Sequence, residues 1–247
     1  MRIAVAGATG VVGAYVVEEA RSRGHEVVPL ARSLGLDVAD GDGLDEALTG
    51  VDVVIDVLST TAAGKQARAF FERTTTNLLR AEERAGVGHH LALSIVGIDG
   101  VPFGYYEAKV RQEELVEAGA VPWTILRATQ FHEFAGQLLD RMGTRVVAPV
   151  PRMLSQPIAA VEVADALVDR AEAGPGGRVP ELAGPEKRQM GELMRKTARA
   201  RGKGVLVLPV PVPGAFGRAV RDGTLTPKAD GPRGTLTFDA WLAGDET

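Results

Sequence analysis

The stretch MRIAVAGATGVVG, residues 1–13, decides the fold of this chain. An apolar run of the length of a β-strand comes first, and Gly7, Gly10 and Gly13 follow it. A helical pattern of valines and charged residues then continues to about Arg23. A strand, a glycine-rich turn and a helix in this order are typical of a loop that holds the pyrophosphate of a dinucleotide.

Each glycine of this turn has its own reason to lack a side chain. The first permits a tight turn, the second lets a pyrophosphate approach the backbone, and the third lets the helix pack close to the strand. The N-terminus of the helix adds free N–H groups and a partial positive charge, which suit phosphate. We therefore expect the cofactor to contact this segment, at Gly7, Thr9, Gly10, Val11, Val12 and Gly13.

The composition is that of an ordinary globular protein, and it excludes several functions. Of the 247 residues 45% are hydrophobic and 24% charged, which suits one domain with a small lobe. The net charge of -4 argues against a nucleic-acid partner. The lack of cysteine excludes thiolate catalysis and cysteine–zinc sites. Because there is neither a membrane-length apolar run nor a signal-peptide layout, we expect a cytoplasmic protein without a membrane partner.

Alternating strands and helices predict an α/β fold, a Rossmann-type doubly wound parallel sheet with a small C-terminal substrate lobe. After the first strand, further strands are predicted at residues 25–30, 35–38, 51–58, 90–96 and 121–127. The later pattern is weaker, with a strand at 178–183 and helices at 161–172 and 187–201. We predict an NAD(P)-binding core over residues 1–150 and a substrate-binding lobe over residues 151–247, forming one structural unit. The sequence leaves monomer and homodimer open.

The end of the second predicted strand bears on the choice of cofactor. Enzymes that prefer NAD place a carboxylate there to hold the ribose 2′-hydroxyl, whereas this chain has Arg32 and Ser33. The guanidinium of Arg32 could pair with a 2′-phosphate through two hydrogen bonds, which favours NADP, although a surface arginine is the alternative. Asp37, followed by Val38, could hydrogen-bond the adenine amino group.

Polar side chains follow several of the predicted strands at the edge where parallel sheets bind ligands. Leu58 and Ser59 end one strand and are expected at the cofactor, and Ser94 lies near the end of the next. Tyr105 and Lys109 lie four residues apart on one helix face, where the ammonium would lower the pKa of the phenol. A tyrosine tuned in this way can exchange a proton at a carbonyl oxygen. Tyr106 is three residues from Lys109, so the spacing alone does not choose between the two tyrosines.

The segment after the last of these strands carries the predicted substrate contacts. Phe131 and Phe134 suit a flat apolar ligand. His132 is the one histidine placed where it could touch substrate, with a role in the core as its alternative. No pair of histidines has the spacing of metal ligands on a helix face, so we expect no metal site.

These residues make the chain resemble the atypical short-chain dehydrogenases/reductases, in particular the NmrA-like NAD(P)H-binding group of quinone, azo-dye and phenylpropanoid reductases. The resemblance covers essentially the whole chain. It rests on GATGVVG at residues 7–13, on Arg32 and on SIVGIDGVPFGYYEAK at residues 94–109. The strings ILRATQFHEF at residues 125–134 and PIAAVEVADAL at residues 157–167 also match.

The resemblance implies roles for particular residues. Ser94, Tyr105 and Lys109 would form the Ser–Tyr–Lys set of the family, and Lys109 would also hold the ribose hydroxyls of the nicotinamide half. The remaining implied positions are Arg32 and Ser33 at the 2′-phosphate, Asp37 and Val38 at the adenine, and Asn77 near the catalytic residues.

We predict from this an NADPH-dependent oxidoreductase that transfers a hydride to a planar apolar small molecule, either a quinone-like compound or an activated carbonyl. The alternative is a non-catalytic NADP(H)-sensing regulatory protein of the NmrA type. A nucleotide-sugar epimerase fits less well, because Arg32 does not favour the tightly held NAD that such enzymes use.

Overall fold

The structure is a computed structural model that describes residues 1–142 and 146–244. Strands and helices alternate along the chain as far as residue 142. The strands are β1 (Arg2–Ala6), β2 (Glu26–Leu30), β3 (Val53–Asp56), β4 (His89–Ile95), β5 (Trp123–Ala128), β6 (Val147–Pro151), β7 (Leu154–Ser155), β8 (Gly177–Arg178), β9 (Arg188–Gln189) and β10 (Leu206–Val210). The helices are α1 (Val11–Ser22), α2 (Leu44–Ala47), α3 (Gly64–Ala85), α4 (Gly104–Ala118), α5 (Glu133–Met142), α6 (Ala160–Ala173), α7 (Met190–Ala200), α8 (Gly214–Arg221) and α9 (Phe238–Ala243).

Six of the strands form a parallel sheet in the order β2-β1-β3-β4-β5-β8, flanked by helices. Every residue of β3 and all but the last of β4 are buried, as expected for central strands of a parallel sheet with both faces covered. The strand order reverses beside β1, which pairs with β2 on one side and β3 on the other. Ligands of such sheets bind beyond the carboxyl ends of the strands at the point of reversal. The prediction of a Rossmann-type doubly wound parallel sheet is confirmed.

The helices that flank this sheet follow from their apolar spacing. Helix α1 buries Val12, Val16 and Ala20 at intervals of four residues. Helix α3 buries Phe71 and Leu78 and ends at Gly86. Leu78 packs with Ala4 of β1 and Val54 of β3, whereas Phe71 packs with Ala108 of α4. Complete burial of a Phe or Leu side chain stabilises a fold by about 1.5–3 kcal/mol.

The strand predicted at residues 35–38 is wrong. A 3-10 turn spans Arg32–Leu34, and a turn follows in which a carboxylate oxygen of Asp37 accepts a hydrogen bond from Ala39 N at 2.9 Å. Aspartate side chains that bond to nearby backbone N–H groups compete with strand pairing. This local hydrogen bond replaces the strand.

The strand predicted at residues 178–183 is mostly absent. Only Gly177–Arg178 join the sheet, in parallel to β5. Pro180 has no N–H with which to continue the hydrogen-bond ladder. Further along, Leu182 and Ala183 make isolated bridges instead of a strand.

Contacts between residues divide the chain into two compact units, each assembled from separate stretches. The first unit comprises Met1–Ser94, Phe103–Arg127 and Val163–Pro180. The second comprises Ile95–Pro102, Ala128–Glu162 and Glu181–Thr247. The sequence predicted a single boundary after residue 150. The observed units are discontinuous instead, because the chain returns to the first unit through most of α6 and through β8.

The second unit contains two short sheets. Strands β6 and β10 pair in parallel, and β7 and β9 pair in antiparallel orientation. Helix α7, predicted at residues 187–201, begins at Met190 and buries Leu193 and Met194. Within the described residues, none of the helices is both long enough and apolar enough to span a bilayer.

Candidate active site

The glycine turn brings the start of α1 against the carboxyl end of β1. A Cβ atom on Gly13 would lie 2.1 Å from the carbonyl oxygen of Gly7, so a larger residue could not occupy this position without moving the helix. Gly10 lies at the N-cap of α1, and no side chain caps the helix there. Thr9, Gly10 and Val11 are exposed. The first turn of α1 therefore offers accessible backbone N–H groups, and the turn fits a pyrophosphate.

The residues predicted to select NADP lie close to this turn. Arg32 and Ser33 are exposed and follow β2. The hydroxyl of Ser33 donates a hydrogen bond to that of Thr9 at 3.4 Å. In the part of the chain that the structure describes, Arg32 forms no ion pair, so its charge is available to a ligand.

Asn77 forms hydrogen bonds to the loop that contains the predicted adenine contacts. Its side-chain amide donates to the carbonyl oxygens of Val38 and Ala39, both at 3.0 Å. The resemblance implied that Asn77 lies near the catalytic residues, but its hydrogen bonds are made to this loop. Asn77 thus fixes the backbone that follows Asp37.

Tyr105 and Ser59 meet through their hydroxyl groups, whose oxygens are 3.0 Å apart. Ser59 follows β3 and Tyr105 lies in the first turn of α4. A Cβ on Gly104 would lie 2.6 Å from the Cα of Gly64, so two glycines let the starts of α3 and α4 touch. This approach brings a predicted catalytic residue to a predicted cofactor contact at the carboxyl end of the sheet.

The two neighbouring tyrosines differ in their surroundings. The ring of Tyr105 packs edge-on against Phe71, with centroids 5.7 Å apart. Tyr106 packs edge-on against Phe103 at 5.0 Å, and burial, with a contribution from Tyr105, raises the pKa of Tyr106 to about 12. A raised pKa makes Tyr106 the poorer proton donor, so the structure supports Tyr105 as the candidate acid.

Lys109 is buried on the same helix as these tyrosines. Its ammonium donates to the carbonyl oxygen of Leu93 at 2.7 Å and to the side-chain oxygen of Gln112, and it lies 4.9 Å from the centroid of the Phe71 ring. Burial lowers the pKa of Lys109 to about 8, while the charges of Asp56 and Glu113 act in the opposite direction. The lysine therefore has a pKa close to neutrality, which is common at functional sites.

Ser94 belongs to a different cluster from the one predicted. It is buried beside Glu113, whose carboxylate pairs with Arg127 at 2.6 Å and with Arg178 at 2.9 Å. Burial acts to raise the pKa of Glu113, but the hydrogen bond and charge of Arg127, together with the charge of Arg178, oppose it and the pKa is lowered. The hydroxyl of Ser94 makes no hydrogen bond to Tyr105. A catalytic role for Ser94 stays a prediction, and Ser59 is the serine bonded to Tyr105.

His132 lies in the interior of the second unit. Its side chain is 1% exposed, its Nε2 lies 3.0 Å from the carbonyl oxygen of Leu236, and its ring contacts Phe238 and Trp241. These contacts match the alternative of a core histidine. Two further predicted substrate contacts, Phe131 and Phe134, are half-buried, and contact of all three with substrate stays a prediction.

Two buried polar residues at the site were missed by sequence reasoning. Asp56 ends β3 and is 0% exposed, and Gln112 lies one turn after Lys109 and is 1% exposed. One signal was a carboxylate inside an otherwise apolar strand. The other was an amide three residues from a lysine on the same helix face.

Comparison with known proteins assigns the family. A family model described as NAD(P)H-binding matches residues 7–173, which is more than half of the chain. The chain therefore belongs to the NAD(P)H-binding family, and the prediction of a protein related to NAD(P)H-dependent oxidoreductases is confirmed at that level. The NmrA-like subgroup stays a prediction. Among the described residues, no group of three His, Cys, Asp or Glu side chains could hold a metal ion.

Two relatives in sequence are named as a reductase and an oxidoreductase. Divinyl chlorophyllide a 8-vinyl-reductase of Cucumis sativus is 29% identical over 166 residues, and the match covers 54% of this chain but only 40% of that protein. Quinone oxidoreductase 2 of Escherichia coli is 26% identical over 223 residues, covering 82% of this chain and 76% of that protein. The crystal structure of an NADPH-dependent quinone oxidoreductase of Escherichia coli with NADPH has a TM-score of 0.73 at 20% identity, covering 99% of this chain and 100% of that one. This structural likeness shows the shared fold.

Proposed function

We propose that this protein is an NADPH-dependent oxidoreductase that reduces a planar apolar acceptor, either a quinone-like compound or an activated carbonyl. The observation that carries the proposal is the hydrogen bond between Tyr105 and Ser59 at the carboxyl end of β3. A binding protein without chemistry has no need of a phenol held in this way. Similarity to a protein named as a reductase and to one named as a quinone oxidoreductase supports the same class of reaction.

The glycine turn and the loop after β2 would hold the cofactor. The uncapped first turn of α1 suits the pyrophosphate, and exposed Arg32 suits a 2′-phosphate. When bound, NADPH supplies the hydride. The chain has no carboxylate at the end of β2 that would favour NAD, so the proposal is specific for NADPH.

The acceptor needs a proton as well as the hydride, and Tyr105 is placed to give it. Its phenol would transfer the proton to the acceptor oxygen, and the phenolate left behind would accept a hydrogen bond from Ser59 until water returns a proton. Lys109 keeps a positive charge on the same helix, which stabilises the phenolate. Reduction thus uses one hydride and one proton for each acceptor molecule.

The test is NADPH oxidation with a panel of quinones and activated carbonyls, followed by absorbance. Tyr105→Phe is expected to lower kcat by about two to four orders of magnitude, the usual contribution of a general acid, and to leave the Kd of NADPH unchanged. Tyr106→Phe is the matched control, because it removes the same atom from the next residue of the same helix.

Each other outcome has a distinct meaning. A loss of less than threefold in Tyr105→Phe would overturn the role of the tyrosine and indicate transfer of the hydride without an acid. Tight NADPH binding without turnover of any acceptor would overturn the proposed reaction and favour the non-catalytic NADP(H)-sensing protein.

A further inference from the structure

A buried chain of polar side chains links β3 to the lysine of α4. One carboxylate oxygen of Asp56 accepts a hydrogen bond from the backbone N–H of Leu58 at 2.9 Å. The other accepts one from the side-chain amide of Gln112 at 2.8 Å. The amide oxygen of Gln112 in turn accepts a hydrogen bond from the ammonium of Lys109.

The three side chains are all removed from solvent. Asp56 is 0%, Gln112 1% and Lys109 4% exposed. Burying a charge without a partner is costly, because the interior cannot replace its hydration. Here the side-chain amide of Gln112 lies between the two charges. Its N–H group donates to the carboxylate of Asp56, and its oxygen accepts from the ammonium of Lys109. Each charge therefore has a hydrogen-bond partner of the correct polarity.

We propose that Asp56 and Gln112 are positioning residues for Lys109. Asp56 orients the amide of Gln112, and Gln112 holds the ammonium of Lys109 in place and in its charged form. The inference deepens the proposed function, on which it rests for the task of Lys109. The hydrogen bonds themselves are independent of any ligand.

The surroundings of Lys109 show which other groups act on its charge. From its own helix Glu113 acts with a negative charge, and from β3 Asp56 does so. On the side of α3 it meets the face of the Phe71 ring, and on the side of β4 the carbonyl oxygen of Leu93. Burial lowers the pKa of Lys109, and the two carboxylates limit that effect.

The first experiment measures Lys109 directly in the protein without cofactor. The chain has six lysines, so their side-chain signals can be followed by NMR during a pH titration and assigned with Lys109→Arg. Asp56→Asn is expected to lower the pKa of Lys109 by about one unit, because it removes a nearby negative charge. Gln112→Met is expected to lower it as well, because the charged form loses an acceptor.

A double variant tests whether Asp56 acts through Gln112. If it does, Asp56→Asn combined with Gln112→Met shifts the pKa of Lys109 by less than the sum of the two single shifts. Glu114→Gln is the matched control, since it removes an exposed carboxylate from the same helix, two residues after Gln112, and is expected to shift the pKa by less than about 0.3 unit.

The activity should follow the titration. In the intact enzyme, the pH above which kcat/KM for NADPH-dependent reduction falls should move down by the same amount as the pKa of Lys109. A lysine pKa that is unchanged in both Asp56→Asn and Gln112→Met would overturn the inference, and so would fully additive shifts. If Asp56→Asn does not fold, the pKa of Lys109 in Gln112→Met alone tests the inference. A shifted lysine pKa in a protein that reduces no acceptor would keep the inference and overturn only the proposed reaction.

Discussion

Replacing Arg32 by glutamine should abolish much of the preference for NADPH over NADH. Arg32 is exposed and lies after β2, and in the proposed function its guanidinium would pair with the 2′-phosphate that NADPH carries and NADH lacks. Glutamine keeps much of the length of the side chain and removes its charge. The affinity for NADPH should fall, and the affinity for NADH should not.

The magnitude follows from the exposure of the side chain. A hydrogen bond to a charged group contributes about 1.5–3 kcal/mol. Because solvent screens an exposed arginine, we expect about 1–2 kcal/mol, which is roughly a 5- to 30-fold rise in the Kd of NADPH. The thermal midpoint should not change, since Arg32 forms no ion pair with the described residues.

The assay is the fluorescence of bound NADPH and NADH, titrated with the wild type and with Arg32→Gln. Arg73→Gln is the matched control, because Arg73 is also exposed and lies on α3, away from the glycine turn. The difference between wild type and variant should shrink as salt rises, since the Debye length falls from about 8 Å at 0.15 M to about 3 Å at 1 M. The reasoning is refuted if the Kd of NADPH rises less than threefold or if NADH loses affinity by the same factor.

Two further predictions concern packing and pH. Gly13→Ala places a Cβ 2.1 Å from the carbonyl oxygen of Gly7, so α1 must move, and we expect a loss of about 1–3 kcal/mol in stability together with weaker NADPH binding. Calorimetry and the fluorescence titration check this, and an unchanged Tm would contradict it. Nδ1 of buried His90 lies 2.8 Å from the carboxylate of Glu82. Burial acts to lower the pKa of His90, but the charge and hydrogen bond of Glu82 outweigh burial, so the pKa is raised. A histidine pKa that is higher in the folded than in the unfolded state stabilises the fold at low pH, and this contribution is lost as the pH rises through the folded-state pKa. Urea denaturation of the wild type should therefore show a free energy of unfolding that falls above about pH 6.5, the ordinary pKa of histidine. The same decrease should be absent in Glu82→Gln.

The main strands of the sheet and the glycine turn could be predicted from sequence because their signals are local. The turn has glycines at fixed spacing after an apolar strand, at Gly7, Gly10 and Gly13. At each of these positions a side chain would clash within the turn or with a bound pyrophosphate. The helix predicted at residues 161–172 is present as α6 (Ala160–Ala173), because its apolar residues repeat with helical spacing.

The prediction of a strand at residues 35–38 failed for a reason that is also local but cannot be read from residue types alone. Whether Asp37 joins a strand or bonds the backbone of Ala39 depends on a competition of a few tenths of a kcal/mol up to about 1 kcal/mol, which composition cannot rank. The discontinuous units were beyond prediction as well, because α6 and β8 join the first unit through contacts between residues far apart in the chain.

The sequence by itself determined the main strands of the sheet, the glycine turn and the residue types available for chemistry, since these follow from spacing along one stretch of chain. Only the tertiary structure decided which of those residues meet. It brought Ser59 rather than Ser94 to Tyr105, and it joined Asp56 to Lys109 through Gln112. The physical reason is that the ends of β3 and the start of α4 are separated by some fifty residues, and their approach is set by the packing of α3 against α4, which no local pattern encodes.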